Sequence, residues 1–225
     1  MKIKLSKRLQ AIADMVIRDK ACADIGTDHG YVPAYLYEQK ICPKVILCDV
    51  AEGPLDIAKK NVSDFSLDID DFRLGDGISV LKDSEVSSVI IAGMGGELIQ
   101  AILEDDINKS HSFERIILQP RTKCDELRLW LSENGFSICD YALAEENGRI
   151  CEIFAVESKA EIAENPIISD ALLDSKSELL NDFIERKIAA RKNTLESLKN
   201  SKSDEHIKKE ILEKEIEYLK SKIHE

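Results

Sequence analysis

The nine residues Ala23 to Tyr31 read Ala-Asp-Ile-Gly-Thr-Asp-His-Gly-Tyr and bring two carboxylates, an imidazole and two glycines into one short stretch. An apolar run (Ala21, Cys22, Ala23, Ile25) breaks at Gly26, and Gly30 precedes a segment with helical apolar spacing. That pattern reads as a strand, a tight turn and a helix start. In an α/β protein such a junction lies at the carboxyl end of a strand, where ligands dock. A dinucleotide fingerprint would be Gly-x-Gly-x-x-Gly, its middle glycine letting the backbone approach a pyrophosphate. Here the turn is Asp24-x-Gly26-x-Asp28-x-Gly30, with an aspartate where that glycine would stand. Its negative charge opposes a pyrophosphate, whereas S-adenosylmethionine has no phosphate and carries a positive sulfonium that Asp24 and Asp28 would favour.

Further candidates follow at the ends of later apolar runs. Asp49 falls 25 residues after Asp24, where an acid accepts hydrogen bonds from ribose hydroxyls. Asp76, between Gly75 and Gly77, suits the exocyclic amine of an adenine or serves as a turn residue. Gly93-Met94-Gly95-Gly96 leaves room for something to approach the backbone, and Met94 packs on a cofactor or fills core. These positions make Asp24, Gly26, Asp49, Asp76, Gly77, Gly93, Met94 and Gly95 the expected cofactor shell. Gln119, before Pro120, offers an amide that can read a base edge. His29 stands beside Asp28 and either touches cofactor or substrate or is structural, while His111, His206 and His224 lie in polar contexts. No Ser-His-Asp or Cys-His set can be assembled, which leaves hydrolase chemistry without support. The six cysteines form no Cys-x-x-Cys pair and have no histidine at zinc-ligand spacing, so they read as reduced thiols with no metal site.

The elements that must position these groups can be read in order. Leu5, Leu9, Ile12, Ala13 and Val16 recur at helical spacing, predicting a helix that ends near Arg18 to Lys20. Residues 32–38 read as the helix after the glycine turn, 44–50 as a buried strand and 53–62 as the next helix. A weaker strand ends at Arg73, 86–92 is the strongest strand, and a helix follows Gly96. Residues 115–119 form another strand before a helix around Leu127 to Leu131, stopped by Asn134-Gly135. Two strand-like runs, 136–144 and 150–157, are joined by Glu145-Glu146-Asn147-Gly148, a hairpin link. Five strand-helix units and then an antiparallel pair predict a mostly parallel, Rossmann-like sheet with an edge hairpin over 1–158.

Beyond Ser158 glycine is absent, and Lys, Glu, Leu and Ile dominate. Two helices of three-four apolar spacing, separated by residues 200–204 with Ser203 or Asp204 as a cap, predict a coiled-coil helical hairpin over 159–225. Arg191 interrupts the first apolar seam. No apolar run approaches the roughly 20 residues of a membrane span, and no signal-peptide core follows Met1, so a cytoplasmic protein is expected. The net charge of −12 divides as −10 through Ser158 and −2 beyond. It argues against a general nucleic-acid coat protein, so any contact with phosphates must use local basic patches. Two are visible: Lys2, Lys4, Lys7 and Arg8 at the start, and Arg186, Lys187, Arg191, Lys192, Lys199 and Lys202 in the hairpin. The first reads equally as a solvated basic face; the second reads as a phosphate-contacting patch, with ordinary helix-surface charge balanced by Glu185 and Glu196 as its alternative.

With Leu5-Ser-Lys-Arg-Leu9, Ala23 to Tyr31, Ile91-Ala-Gly-Met-Gly-Gly96 and Ile117-Leu-Gln-Pro120 in view, the chain resembles the bacterial tRNA methyltransferases that methylate N1 of adenine 22. The resemblance covers essentially the whole chain and implies a class I, S-adenosylmethionine-dependent transferase acting on tRNA. It implies Asp28, with Asp24 as competitor, as the carboxylate that stabilises or deprotonates the methylated base, with His29 and Gln119 beside it. Where the family's Gln-Pro motif continues with Asn, this chain has Arg121, suited to hold a tRNA phosphate. The alternatives are a class I methyltransferase acting on a small molecule or protein, and a ligand-binding module whose hairpin is an oligomerisation arm.

Overall fold

The computed structural model describes residues 2–159, 165, 167–199 and 206–223. Helix α1 (Lys7–Asp14) is capped by Ser6, whose hydroxyl accepts from the Leu9 amide. It ends earlier than its apolar spacing suggests, because the Met15 and Val16 amides turn back onto Ile12 and Ala13. Strands β1 (Cys22–Ile25) and β2 (Val45–Asp49) flank helix α2 (Tyr31–Glu38), and helix α3 (Glu52–Asp64) leads to the short β3 (Phe72–Leu74). The expected third strand-helix unit has only a 3-10 turn, Gly77–Val80, because the glycine-bounded Gly75-Asp76-Gly77 segment offers no helical start.

Strand β4 (Ser88–Met94) is followed by α4 (Gly96–Asp105) and by a short α5 (Ile107–Ser112). The Asp106 side chain caps α5; its polar sequence carried no apolar periodicity to announce it. Strand β5 (Arg115–Pro120), α6 (Cys124–Glu133), and the hairpin β6 (Phe136–Glu146) and β7 (Arg149–Ser158) complete the sheet. Its order is β3-β2-β1-β4-β5-β7-β6, parallel except where β7 runs antiparallel to β5 and β6. Alternate strand residues feed two apolar clusters, one per face: Ala23, Ile46, Val89, Ile91 and Ile116 in one, Cys22, Val45, Leu47, Ile90 and Ile117 in the other.

After α7 (Asp170–Asp174), helices α8 (Leu180–Lys199) and α9 (His206–Lys220) pack on one another. Ile184, Ile188, Ile216 and Leu219 join the same cluster as Phe136, Tyr141 and Phe154, so the apolar core runs without a break past Ser158. The turn and cap expected over 200–204 lie outside the described residues, as does His224. The seam-breaking Arg191 crosses to Glu215 on α9 (2.6 Å) and to Asp125 on α6 (3.0 Å).

Candidate active site

The glycine turn after β1 is shaped by close packing on its neighbours. Gly26 has φ +74°, and a Cβ there would stand 2.1 Å from the Met94 methyl; Gly30 has φ +68° and rests against Leu47 and Ala58. The Gly26 and Thr27 amides both donate to the Cys48 carbonyl, fixing the turn to β2. The result is a cavity of about 390 Å3 at the carboxyl ends of β1, β2 and β4. Asp24, Gly26, Asp28, His29, Asp49, Gly93 and Met94 line it, as the sequence suggests, and Arg8 and Arg121 reach it too.

Asp24 is 8% exposed and takes one hydrogen bond, from the Thr27 hydroxyl at 2.7 Å. Burial pushes its carboxyl up to about 6; Thr27 opposes the rise and the charge of Asp49 adds to it. Asp49 accepts from the Ala51 amide with one carboxylate oxygen, and its carbonyl takes the Gly75 amide. Asp28 sits at φ +45° with its side chain 68% exposed, and its carboxylate lies 3.4 Å from the imidazole of the half-exposed His29. Asn61 donates to the His29 carbonyl, and the His29 ring lies 5.7 Å from that of Tyr31.

Four expected residues stand elsewhere. Gln119 is 2% exposed and does not line the cavity: its side-chain oxygen accepts from Arg8 at 3.1 Å, and its nitrogen donates to the Pro120 carbonyl. Asp76, Gly77 and Gly95 do not reach the cavity wall either. A Cβ on Gly96 would meet the Lys123 and Thr122 carbonyls at 2.6 and 2.8 Å, so part of the room in the glycine segment is filled by the chain's own 122–123 loop.

Two of the basic residues expected to meet RNA are turned inward. Lys187 bonds Asp125, and Arg191 bonds Asp125 and Glu215, each side chain at most 14% exposed. They belong to a charge cluster that sequence reading missed, built around Arg128, which is 1% exposed. Its guanidinium bonds Asp125 (2.8 Å), Glu152 (2.7 Å) and the Tyr141 hydroxyl (3.0 Å), and Tyr141 in turn bonds Glu152. The one available signal was an arginine inside the apolar run Leu127 to Leu131. Arg186 bonds Asp182 and the Gly148 carbonyl; Lys2, Lys4, Lys7, Arg121 and Lys192 are exposed. Sequence reading also missed Thr27 as the partner of Asp24, and Tyr31, Val32 and Pro54 as lining residues. Among the described residues no cluster of three or more His, Cys, Asp or Glu is placed to hold a metal, and no helix is long and apolar enough to cross a membrane.

A family described as methyltransferase domain matches residues 5–154. A tRNA (adenine(22)-N(1))-methyltransferase of Bacillus subtilis is 37% identical over 157 residues, which span 69% of this chain and 66% of that protein. The solved Bacillus subtilis m1A22 tRNA methyltransferase TrmK superimposes with a TM-score of 0.86 at 28% identity, covering 99% of this chain and 100% of its own. A candidate tRNA (m1A22) methyltransferase of Streptococcus pneumoniae, solved in complex with S-adenosyl-L-methionine, is 31% identical with a TM-score of 0.78, covering 98% and 100%. Sheet order, glycine turn and matched family together define a Rossmann-like class I methyltransferase. Within that class the chain belongs to the bacterial tRNA (adenine-22 N1)-methyltransferase family.

Proposed function

We propose that the protein transfers the methyl group of S-adenosylmethionine to N1 of adenine 22 in tRNA. The reading is carried by the acid-lined cavity at the carboxyl ends of β1, β2 and β4, in a chain that matches its relatives over nearly its whole length. The residues present fit this cofactor. Asp24 is a buried carboxylate with one hydrogen-bond donor, Asp49 faces the same space, and a cation satisfies both where a pyrophosphate would be repelled. When bound, S-adenosylmethionine supplies an electrophilic methyl group. Asp24 would hold a cationic portion of it, Asp49 the ribose hydroxyls, and Gly26, Gly93 and Met94 would form the wall.

The acceptor nitrogen of neutral adenine carries a lone pair and needs no base to become nucleophilic, so the protein's task is positioning and water exclusion. The methylated base is cationic, and Asp28, at the cavity mouth beside His29, offers the carboxylate that stabilises it or takes its proton. Gln119 acts through Arg8, as a positioning residue. Residues 1–158 perform the transfer, and 159–225, with the exposed Lys2, Lys4 and Lys7, engage the RNA in the cytoplasm. Purified protein given labelled S-adenosylmethionine and unmodified tRNA should place the label on adenine 22, and failure to label any tRNA carrying that base refutes the proposal. Asp28→Asn should lower turnover at least tenfold while cofactor affinity changes less than threefold; equal losses would move Asp28 into the binding shell.

A further inference from the structure

A second cleft of about 500 Å3 opens beside the first, between the end of β5, the start of α6 and the β6–β7 turn. The first cavity, about 390 Å3, lies at the lower end of the range for small-molecule pockets, room for one cofactor-sized ligand. An acceptor nucleotide therefore needs its own volume, and that volume must be continuous with the first for N1 to reach the methyl group. The second cleft adjoins the first, because Arg8 and Arg121 line both spaces.

The charges in the cleft are not equivalent. Arg8 is neutralised by Glu146 at 2.6 Å and held by Gln119, so its charge is already engaged at the border of the two spaces. Arg121 and Arg149 are exposed and form no ion pair among the described residues. Pro120 and Ile150 contribute apolar surface to the same cleft. Unpaired guanidinium groups and apolar side chains lining one cleft suit a nucleotide, with phosphate at the cations and base on the apolar surface. We propose that this second cleft receives the acceptor nucleotide, its base against Pro120 and Ile150 and its phosphates at Arg121 and Arg149, with the Arg8–Glu146 pair at the border the cleft shares with the cofactor cavity.

The inference rests on the tRNA methyltransferase reading, and its test separates the two. In the full chain, Ile150→Trp narrows the cleft and Arg149→Ala removes an exposed cation; neither residue lines the cofactor cavity. Both variants should bind S-adenosylhomocysteine within twofold of the parent, which also reports that they fold. Ile150→Trp should cut kcat/KM for tRNA at least tenfold. Arg149→Ala should raise KM for tRNA severalfold at nearly constant kcat and lower the slope of log affinity against log salt by about one. Adenosine 5′-monophosphate, titrated into the S-adenosylhomocysteine-saturated parent and followed by backbone amide NMR, should perturb residues 119–124 and 146–152. Parent-like tRNA kinetics in both variants, or perturbations confined to other surfaces, overturn the proposal. A parent that fails to methylate tRNA yet binds the nucleotide in this cleft overturns the functional reading and keeps the cleft as a nucleotide site.

Discussion

Asp24 gives the site a pH dependence with a definite sign. In the fold its carboxyl ionises at about 6, against an ordinary 3.8, because burial penalises the charge. The folded state thus binds this proton more tightly than the unfolded chain. The group's favourable contribution is complete below pH 3.8 and is lost as pH rises through 6, a change of roughly 3 kcal/mol. A cationic ligand favours the ionised form, so its affinity should fall by up to about tenfold per unit as pH drops below 6. Asp24→Asn should flatten that limb and stabilise the ligand-free protein above pH 6, as calorimetric titration and thermal unfolding across pH 5–8 would show. An acid limb that survives in the variant places the proton elsewhere. Asp24, Gly26, Asp28 and Asp49 were legible because a glycine turn after an apolar strand is a local signal. Gln119 was not: β5 could be read, but whether its amide faced ligand or Arg8 depends on α1, more than a hundred residues away.

Two connections between elements carry their own tests. The loop after β5 is pressed against the first turn of α4 at Gly96, whose amide donates to the Thr122 carbonyl at 2.9 Å. Gly96→Ala must push that backbone away, displacing Arg121, which should cost about 1–3 kcal/mol of stability and reduce tRNA turnover more than cofactor affinity. Denaturant unfolding and steady-state kinetics read both effects. Asp125 on α6 joins the catalytic sheet to the arm. Burial raises its carboxyl, but Lys187 and Arg128 outweigh that and leave it below the usual carboxylate range. It therefore stabilises the fold above the ordinary carboxylate pKa, and the contribution is lost as pH falls through the lowered value. Asp125→Ala removes the carboxylate shared by Lys187, Arg191 and Arg128, leaving Glu215 and Glu152 to the two arginines, and should cost on the order of 3 kcal/mol, with faster proteolysis within α8. The order of strands and the edge hairpin were visible from apolar runs and turn residues. The short α5 and the 3-10 turn were not, since their polar or glycine-rich sequences have no periodicity, and neither was the inward role of Lys187 and Arg191, which needs α6 and α9 in place.

At the scale of the whole molecule, an excess of twelve negative charges opposes an RNA partner, so binding depends on a few exposed cations acting at short range. Affinity for tRNA should drop on the order of a thousandfold between about 50 and 200 mM salt if some six phosphates are contacted. Replacing Lys2, Lys4 and Lys7 together by alanine should shallow that dependence; an unchanged slope would remove the segment leading into α1 from the interface. The same helix has a temporal consequence. Ser6 and Arg8 are both held by Glu146, 140 and 138 residues further along, and Arg8, Leu9 and Ile12 form one wall of the cavity. A chain emerging from the ribosome displays the glycine turn early and can seat its first helix on α2 through Gln10 and Tyr35, yet Ser6 and Arg8 lack their Glu146 partner until the hairpin has left the exit tunnel. Completion of this cavity wall is thereby deferred until the hairpin emerges, and nascent chains stalled before Glu146 should retain S-adenosylhomocysteine less well than chains released whole.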